Sequence, residues 1–254
     1  MISLGISGTH ISAQTFLLTL RGHEIAVRDL NGPDDAAGIE TLLLVPRDVM
    51  ESERLLFEDE AYARRLPGLK VLILSGTLSP RYVRALRDRV PARIEMIDAP
   101  LVGAPRAIAS GQATFLLGGR ADLIDSLQPL FSVLSRGQTR MGEFGTAMAA
   151  KALQDCITAA SSAMARSALD WAEAQGIEES RLLSFLKATL ARQLPPGMAD
   201  PASLVTNTLP GDNAGAVLVK NVEAALDTAL AGVHLNPPRM GQRLNPTQRT
   251  RHLH

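Results

Sequence analysis

Residues 1–31, MISLGISGTHISAQTFLLTLRGHEIAVRDLN, decide how the chain folds. The β-branched run Ile2–Ile6 reads as a strand and Ile11–Leu20 as a helix, with Glu24–Asp29 as a second strand. Between the first two lies a tight turn, Gly5-Ile6-Ser7-Gly8-Thr9-His10-Ile11. Strand, crossover helix and strand make a right-handed βαβ unit. The same alternation then repeats. Thr41–Val45, Lys70–Leu74, Arg93–Ile97 and Ala113–Leu117 read as strands, and Val49–Arg65, Pro80–Val90 and Asp122–Leu134 as helices. Ser79-Pro80 predicts a capping hydroxyl ahead of a proline at the first helical position. Short strands separated by helices predict a doubly wound parallel sheet, an α/β Rossmann-type domain over residues 1–140.

From about Met141 the pattern changes. Glu143–Gln175 is one helical run of about 33 residues, roughly 50 Å long, closed by Gly176. A small domain does not cover a helix of that length, so its expected neighbour is a second copy of the chain, a homodimer. Glu178–Gln193 and Ala214–Gly232, separated by the breaker-rich LPPGMADP, complete a small all-α domain over residues 141–235. Residues 236–254 are polar, rich in Pro and Arg and without periodicity, and read as a flexible tail.

Composition narrows the function classes. With 26 basic and 26 acidic side chains, nothing draws the whole surface to nucleic acid or to an anionic membrane, and neither partner is expected. Apolar runs stay well below the roughly 20 residues of a membrane span. The first apolar stretch has no basic flank of the secretory kind. A single cysteine, Cys156, allows no internal disulfide framework and fits a reducing cytoplasm. Its alanine-rich helical setting reads as an inert thiol rather than a nucleophile. One Trp and two Tyr make no stacking platform for bases. No metal site is expected.

The opening turn bears on ligand chemistry. In a dinucleotide site the first βα turn approaches a pyrophosphate so closely that side chains must be absent, and the helix N-terminus supplies N–H donors. Here Gly5 and Gly8 are present, while Ser7 stands where a second glycine is usual and would donate to a phosphate. His10 or Ile11 takes the third position, where a β-branched Ile11 would hold helix and strand apart. His10 itself reads as a solvent-facing loop residue. Asp29, 24 residues after Gly5, is placed to accept from both hydroxyls of an adenosine ribose and to repel a 2′-phosphate. Leu30 rather than Arg follows it, so NAD is favoured over NADP. The competing reading of Asp29 is a turn starter before Asn31-Gly32-Pro33.

Three further segments are IDAPLVGAPRAIASGQATFLLGG (97–119), GEFGTAMAAKALQD (142–155) and LVKNVEAALDTALAGV (218–233). Together with GHEIAVRDLN (22–31) and LILSGTLSP (72–80), their order and spacing resemble the β-hydroxyacid dehydrogenases. That is the family of 3-hydroxyisobutyrate and 6-phosphogluconate dehydrogenases and their imine reductase relatives. The resemblance runs from residue 1 to about 238. It implies a Rossmann domain joined by a long helix to a helical domain, dimers formed through those helices, and NAD or NADP as cofactor. It also implies that Lys151 is the proton donor or acceptor, because a lysine shielded from water between domains exchanges its proton more readily. The alternative for Lys151 is a simple i,i+4 ion pair with Asp155. Cofactor contacts are implied at Gly5, Ser7, Gly8, Asp29, Pro46 and Thr77.

Several positions depart from the family. Asp155 replaces the asparagine that binds substrate one turn after the lysine, and would pair with Lys151 and hold it charged. Val102-Gly103-Ala104 replaces the Ser-Gly-Gly that anchors a substrate carboxylate. An amine, imine or uncharged carbonyl suits such a pocket better than a simple 3-hydroxy acid. About ten residues, Leu30–Glu40, stand where the family has a further helix and strand, and the tail from Asn236 stands where it has final helices. Two functions stay open: an NAD(P)-dependent oxidoreductase acting on a small substrate in the interdomain cleft, and a divergent dimeric binding or structural protein without the chemistry.

Overall fold

The computed structural model describes residues 3–30, 37–103, 107, 108 and 110–185. Ala104, most of the helix expected at 178–193, the helix expected at 214–232 and the tail lie outside the described residues.

The strands are nearly pure hydrocarbon because both faces of the sheet are covered. In β1 (Leu4–Ser7) and β3 (Thr41–Leu44) every residue is buried. Alternation sorts the side chains. Leu43, Ile73 and Ile97 point to one face, against Phe16, Leu17 and Leu20 of α1 (Ile11–Gly22) and against Phe115 and Phe131. Leu42, Leu44, Leu72 and Leu74 point to the other, against Leu56, Tyr62, Val83 and Leu86.

The sheet is ordered β2 (Val27–Asp29), β1, β3, β4 (Val71–Leu74), β5 (Glu95–Asp98), all parallel. The chain leaves β2 on one side of β1 and returns as β3 on the other, which makes the gap between the ends of β1 and β3 the topological switch point, where α/β sheets bind ligands. Among the described residues no strand lies outside β2, in keeping with the short Leu30–Glu40 connection. Beyond β5 the sheet is mixed rather than parallel. There β7 (Thr114–Gly118) runs antiparallel to β5 through the Asp98–Gly118 pair, β6 (Leu101–Val102) is antiparallel to β7, and β8 (Gly137–Gly142) is parallel to it.

Two helices expected as single are each two. Val49–Arg65 splits into α2 (Val49–Phe57) and α3 (Tyr62–Arg65), because the acidic Glu58-Asp59-Glu60 leads into Ala61 in the left-handed region, φ 49°. That kink swings Tyr62 fully into the core. After α4 (Pro80–Arg89), the run Asp122–Leu134 splits at Leu127 into α5 (Ala121–Ser126) and α6 (Gln128–Leu134). Pro129 lacks the N–H that would continue the first helix. Ser79 precedes Pro80 as expected, but its hydroxyl makes no cap; only its carbonyl takes up the turn, from the Val83 N–H at 3.0 Å. The strands β6 and β8 were not expected from the sequence. The segment GQTRMG of β8 is half-exposed and polar, with no apolar face to betray it.

The long helix α7 spans Thr146–Ala174. Gly176, φ 73°, ends it: its N–H reaches the Glu173 carbonyl and the Ile177 N–H reaches Ala172, both at 2.9 Å, the paired bonds of a Schellman motif.

Candidate active site

The C-terminal ends of β1, β3, β4 and β5 gather the loops that matter. In the β1–α1 turn, Gly8 has φ 125°, and a Cβ there would lie 2.2 Å from the Val45 carbonyl oxygen. No side chain fits. The loop after β4 is equally close, since a Cβ on Gly76 would meet the Pro46 oxygen at 2.2 Å. Gly8, the buried Pro46 and the exposed Thr77 beside Gly76 therefore line one continuous edge.

Other expected cofactor residues stand elsewhere. Gly5 is inside β1 rather than in the turn, and the room its missing side chain leaves is taken by Leu30, 2.6 Å from an ideal Cβ. The Ser7 hydroxyl is buried and donates to the Tyr62 hydroxyl at 3.3 Å, which donates to the Leu30 carbonyl at 3.1 Å. It is turned into the core. Asp29 ends β2, half-buried, opposite Ile6 of β1. His10 is not a free loop residue: it is the N-cap of α1, with Nδ1 accepting from the Ser12 N–H at 3.2 Å. Burial holds its imidazole below the usual histidine range, against the opposing pull of the Glu51 carboxylate.

Glu51, unmarked as a site residue by sequence, sits at the centre of the switch point. It is 6% exposed. Its Oε1 accepts from the Thr9 N–H at 2.7 Å, and its Oε2 accepts from the Thr9 hydroxyl at 2.9 Å and the Arg47 N–H at 2.8 Å. The Asp48 side chain accepts from the Glu51 N–H at 2.8 Å, so Asp48-x-x-Glu51 is the trace this left in the sequence, a capping-box spacing.

Asp98 is the second residue the sequence reading passed over. It is fully buried at the end of β5, accepting from the Gly145 N–H at 2.7 Å and the Met148 N–H at 2.6 Å. Burial pushes its carboxyl up to about 6, and the backbone N–H donors pull the other way. These bonds fix the first turn of α7 to the sheet. Met148 Sδ in turn accepts from the Leu78 N–H at 3.4 Å. Lys151 follows Met148 by three residues, about 4.5 Å along the axis on the same side of the helix, so it stands one turn beyond the contact with the Thr77–Leu78 loop. Its ammonium pairs with Asp155, and both side chains are largely withdrawn from solvent. Val102 lies on β6 opposite Thr114, and Gly103 packs on Ala113, at the far end of the sheet. Cys156 is half-buried on α7.

A family model for the NAD binding domain of 6-phosphogluconate dehydrogenase matches residues 33–142, from the connection after β2 to the end of β8. The 3-hydroxyisobutyrate dehydrogenase of Pseudomonas aeruginosa is 23% identical over 250 residues, covering 91% of this chain and 83% of that protein. These matches support a likeness to the β-hydroxyacid dehydrogenases at low identity. The NAD-dependent L-serine dehydrogenase of P. aeruginosa is 29% identical over 133 residues, 52% of this chain; that match spans only 44% of its own length. A solved 3-hydroxyisobutyrate dehydrogenase from Mycobacterium tuberculosis, determined with L-serine, shares the fold at a TM-score of 0.72 and 17% identity, over 91% of this chain and 88% of that one. The match to an NAD binding domain supports NAD or NADP as the cofactor against which the site is tested. The backbone suits such a group in that α1 starts directly behind the turn, whereas the room left by Gly8 is taken by the Val45 carbonyl. The side chain that stands against the fit is Glu51.

Among the described residues no three metal-ligating side chains cluster, and no helix is long and apolar enough to cross a membrane.

Proposed function

We propose that this chain is an oxidoreductase that acts on a small substrate held over the C-terminal ends of β4 and β5, with Lys151 as its proton donor or acceptor. One observation carries this reading: Lys151 is withdrawn from solvent on α7, one turn past the point where Asp98 and Leu78 fasten that helix to the sheet. The nicotinamide, when bound, gives or takes a hydride. Gly8 and the Thr9 N–H would lie against its pyrophosphate, Pro46 and Thr77 along the nicotinamide half, and Asp29 at the adenosine ribose, which favours NAD over NADP. Gly5 and Ser7 support that groove from within β1 rather than touching the ligand. Asp155 pairs with the Lys151 ammonium and orients it to donate to an oxygen or nitrogen as negative charge develops there. An acid here, with no hydroxyl in the Val102-Gly103-Ala104 segment that replaces the anchor in the sequence, suits an amine, imine or uncharged carbonyl.

A second reading, a binding or structural protein that keeps the scaffold without turnover, is favoured by the same Lys151–Asp155 pair, which can be a helix ion pair and nothing more. Titrating NADH and NADPH while following melting temperature and nicotinamide fluorescence separates the two. Stabilisation by NADH above NADPH supports the oxidoreductase, and no response at millimolar cofactor from folded protein overturns it. Lys151→Ala is expected to keep cofactor binding and to lose at least about 100-fold in kcat, the usual scale of a general acid; unchanged turnover removes Lys151 from the mechanism.

The proposal includes assembly as a homodimer through α7. Ile157, Met164 and Trp171 recur every seven residues on that helix and are 66%, 75% and 72% exposed, an apolar stripe of the kind that seeks a partner helix.

A further inference from the structure

We propose that Glu51 is a built-in competitor for the cofactor's pyrophosphate, its carboxylate holding the donors that the diphosphate would take. This rests on the groove at the β1–β3 switch point being the dinucleotide site.

The geometry is specific. An N-cap box needs its glutamate only to reach back to the start of its own helix. Glu51 does that through Arg47, then crosses to a different element and binds both the N–H and the hydroxyl of Thr9. Thr9 follows Gly8, the residue that no side chain can replace, and directly precedes His10, the N-cap of α1, at the end where the fold directs backbone donors at an anion. Three donors from two loops thus converge on one buried carboxylate. A diphosphate brought to the same donors meets a like charge within a few ångströms, a contact that is unfavourable even at a protein surface. For the dinucleotide to seat, the Glu51 side chain must rotate away, and the stitch between the Gly8–His10 turn and the Val45–Asp48 loop opens with it. The same contact stabilises the ligand-free protein and lowers its affinity for dinucleotide.

Glu51→Gln keeps the size of the side chain and removes the charge, which leaves at least one of the two N–H donors open to a phosphate. The test measures NADH by nicotinamide fluorescence and inorganic pyrophosphate by calorimetry, in wild type and variant, together with the melting temperature of each protein without ligand. The variant is expected to bind both probes about 10-fold more tightly, a change of about 1.4 kcal/mol, and to melt a few degrees lower. Thr9→Val, which removes one contact to Glu51 while sparing the backbone donors, gives a smaller gain in the same direction and serves if Glu51→Gln does not fold. Equal NADH affinity in wild type and variants overturns the competitor and leaves the cofactor assignment standing. Weaker NADH binding by the variants also overturns it, making Glu51 a support of the site. Tighter pyrophosphate with no NADH binding by any of the proteins upholds the competition at these donors and overturns the nicotinamide assignment.

Discussion

Asp98 carries the clearest pH signature at the level of a single residue. Its carboxyl titrates near 6 in the folded chain against an ordinary value of 3.8, because burial opposes the charge more than the Gly145 and Met148 N–H donors favour it. A raised acid binds its proton more tightly in the folded state. Its contribution is therefore fully present below about pH 4 and is lost as pH rises to about 6, by roughly 3 kcal/mol over that window. Asp98→Asn removes the titration and turns an amide N–H toward a backbone N–H, which costs about 1–3 kcal/mol at neutral pH. Urea unfolding at pH 4, 5 and 7 checks both: the gap between wild type and variant narrows as pH rises, and a gap independent of pH contradicts the assignment. None of this was legible locally, since the donors stand 47 and 50 residues away.

Among the elements, α3 shows how a short segment is held by one side chain. Its four residues cannot be a stable helix alone. Tyr62 anchors them, 0% exposed, with its hydroxyl between Ser7 on β1 and the Leu30 carbonyl after β2. Tyr62→Phe is expected to lower stability by about 1–2 kcal/mol without changing the fold, read as a lower urea midpoint at constant slope. The break before α3 escaped the sequence reading because Val49–Arg65 keeps its apolar spacing across it; the left-handed Ala61 is dictated by where Tyr62 must go. The ladder of β1, β3, β4 and β5 was readable for the opposite reason. Strands buried on both faces are written as continuous Leu, Ile and Val.

For the whole molecule, the exposed stripe on α7 bears on assembly. Ile157→Glu places a charge in the middle of it. If α7 pairs with a second copy, light scattering during gel filtration will give a dimer mass for the wild type and a monomer mass for the variant, with little change in the melting of the α/β domain. A wild-type monomer at micromolar concentration contradicts the pairing.

The sequence by itself determined the alternation of strand and helix, the long helix with its Gly176 stop, and the family resemblance, because each is written in short-range periodicity or in fixed motif spacing. It also put Lys151 and Asp155 on one helix face, where i,i+4 geometry brings them together. Only the tertiary structure decided that Gly5 and Ser7 serve the core, that His10 caps α1, that the far end of the sheet is mixed, and that Glu51 meets Thr9. These facts depend on which strand ends lie side by side. Glu51 and Thr9 are 42 residues apart in the chain, and the topological switch between β1 and β3 is what brings this carboxylate to the turn proposed to receive a diphosphate.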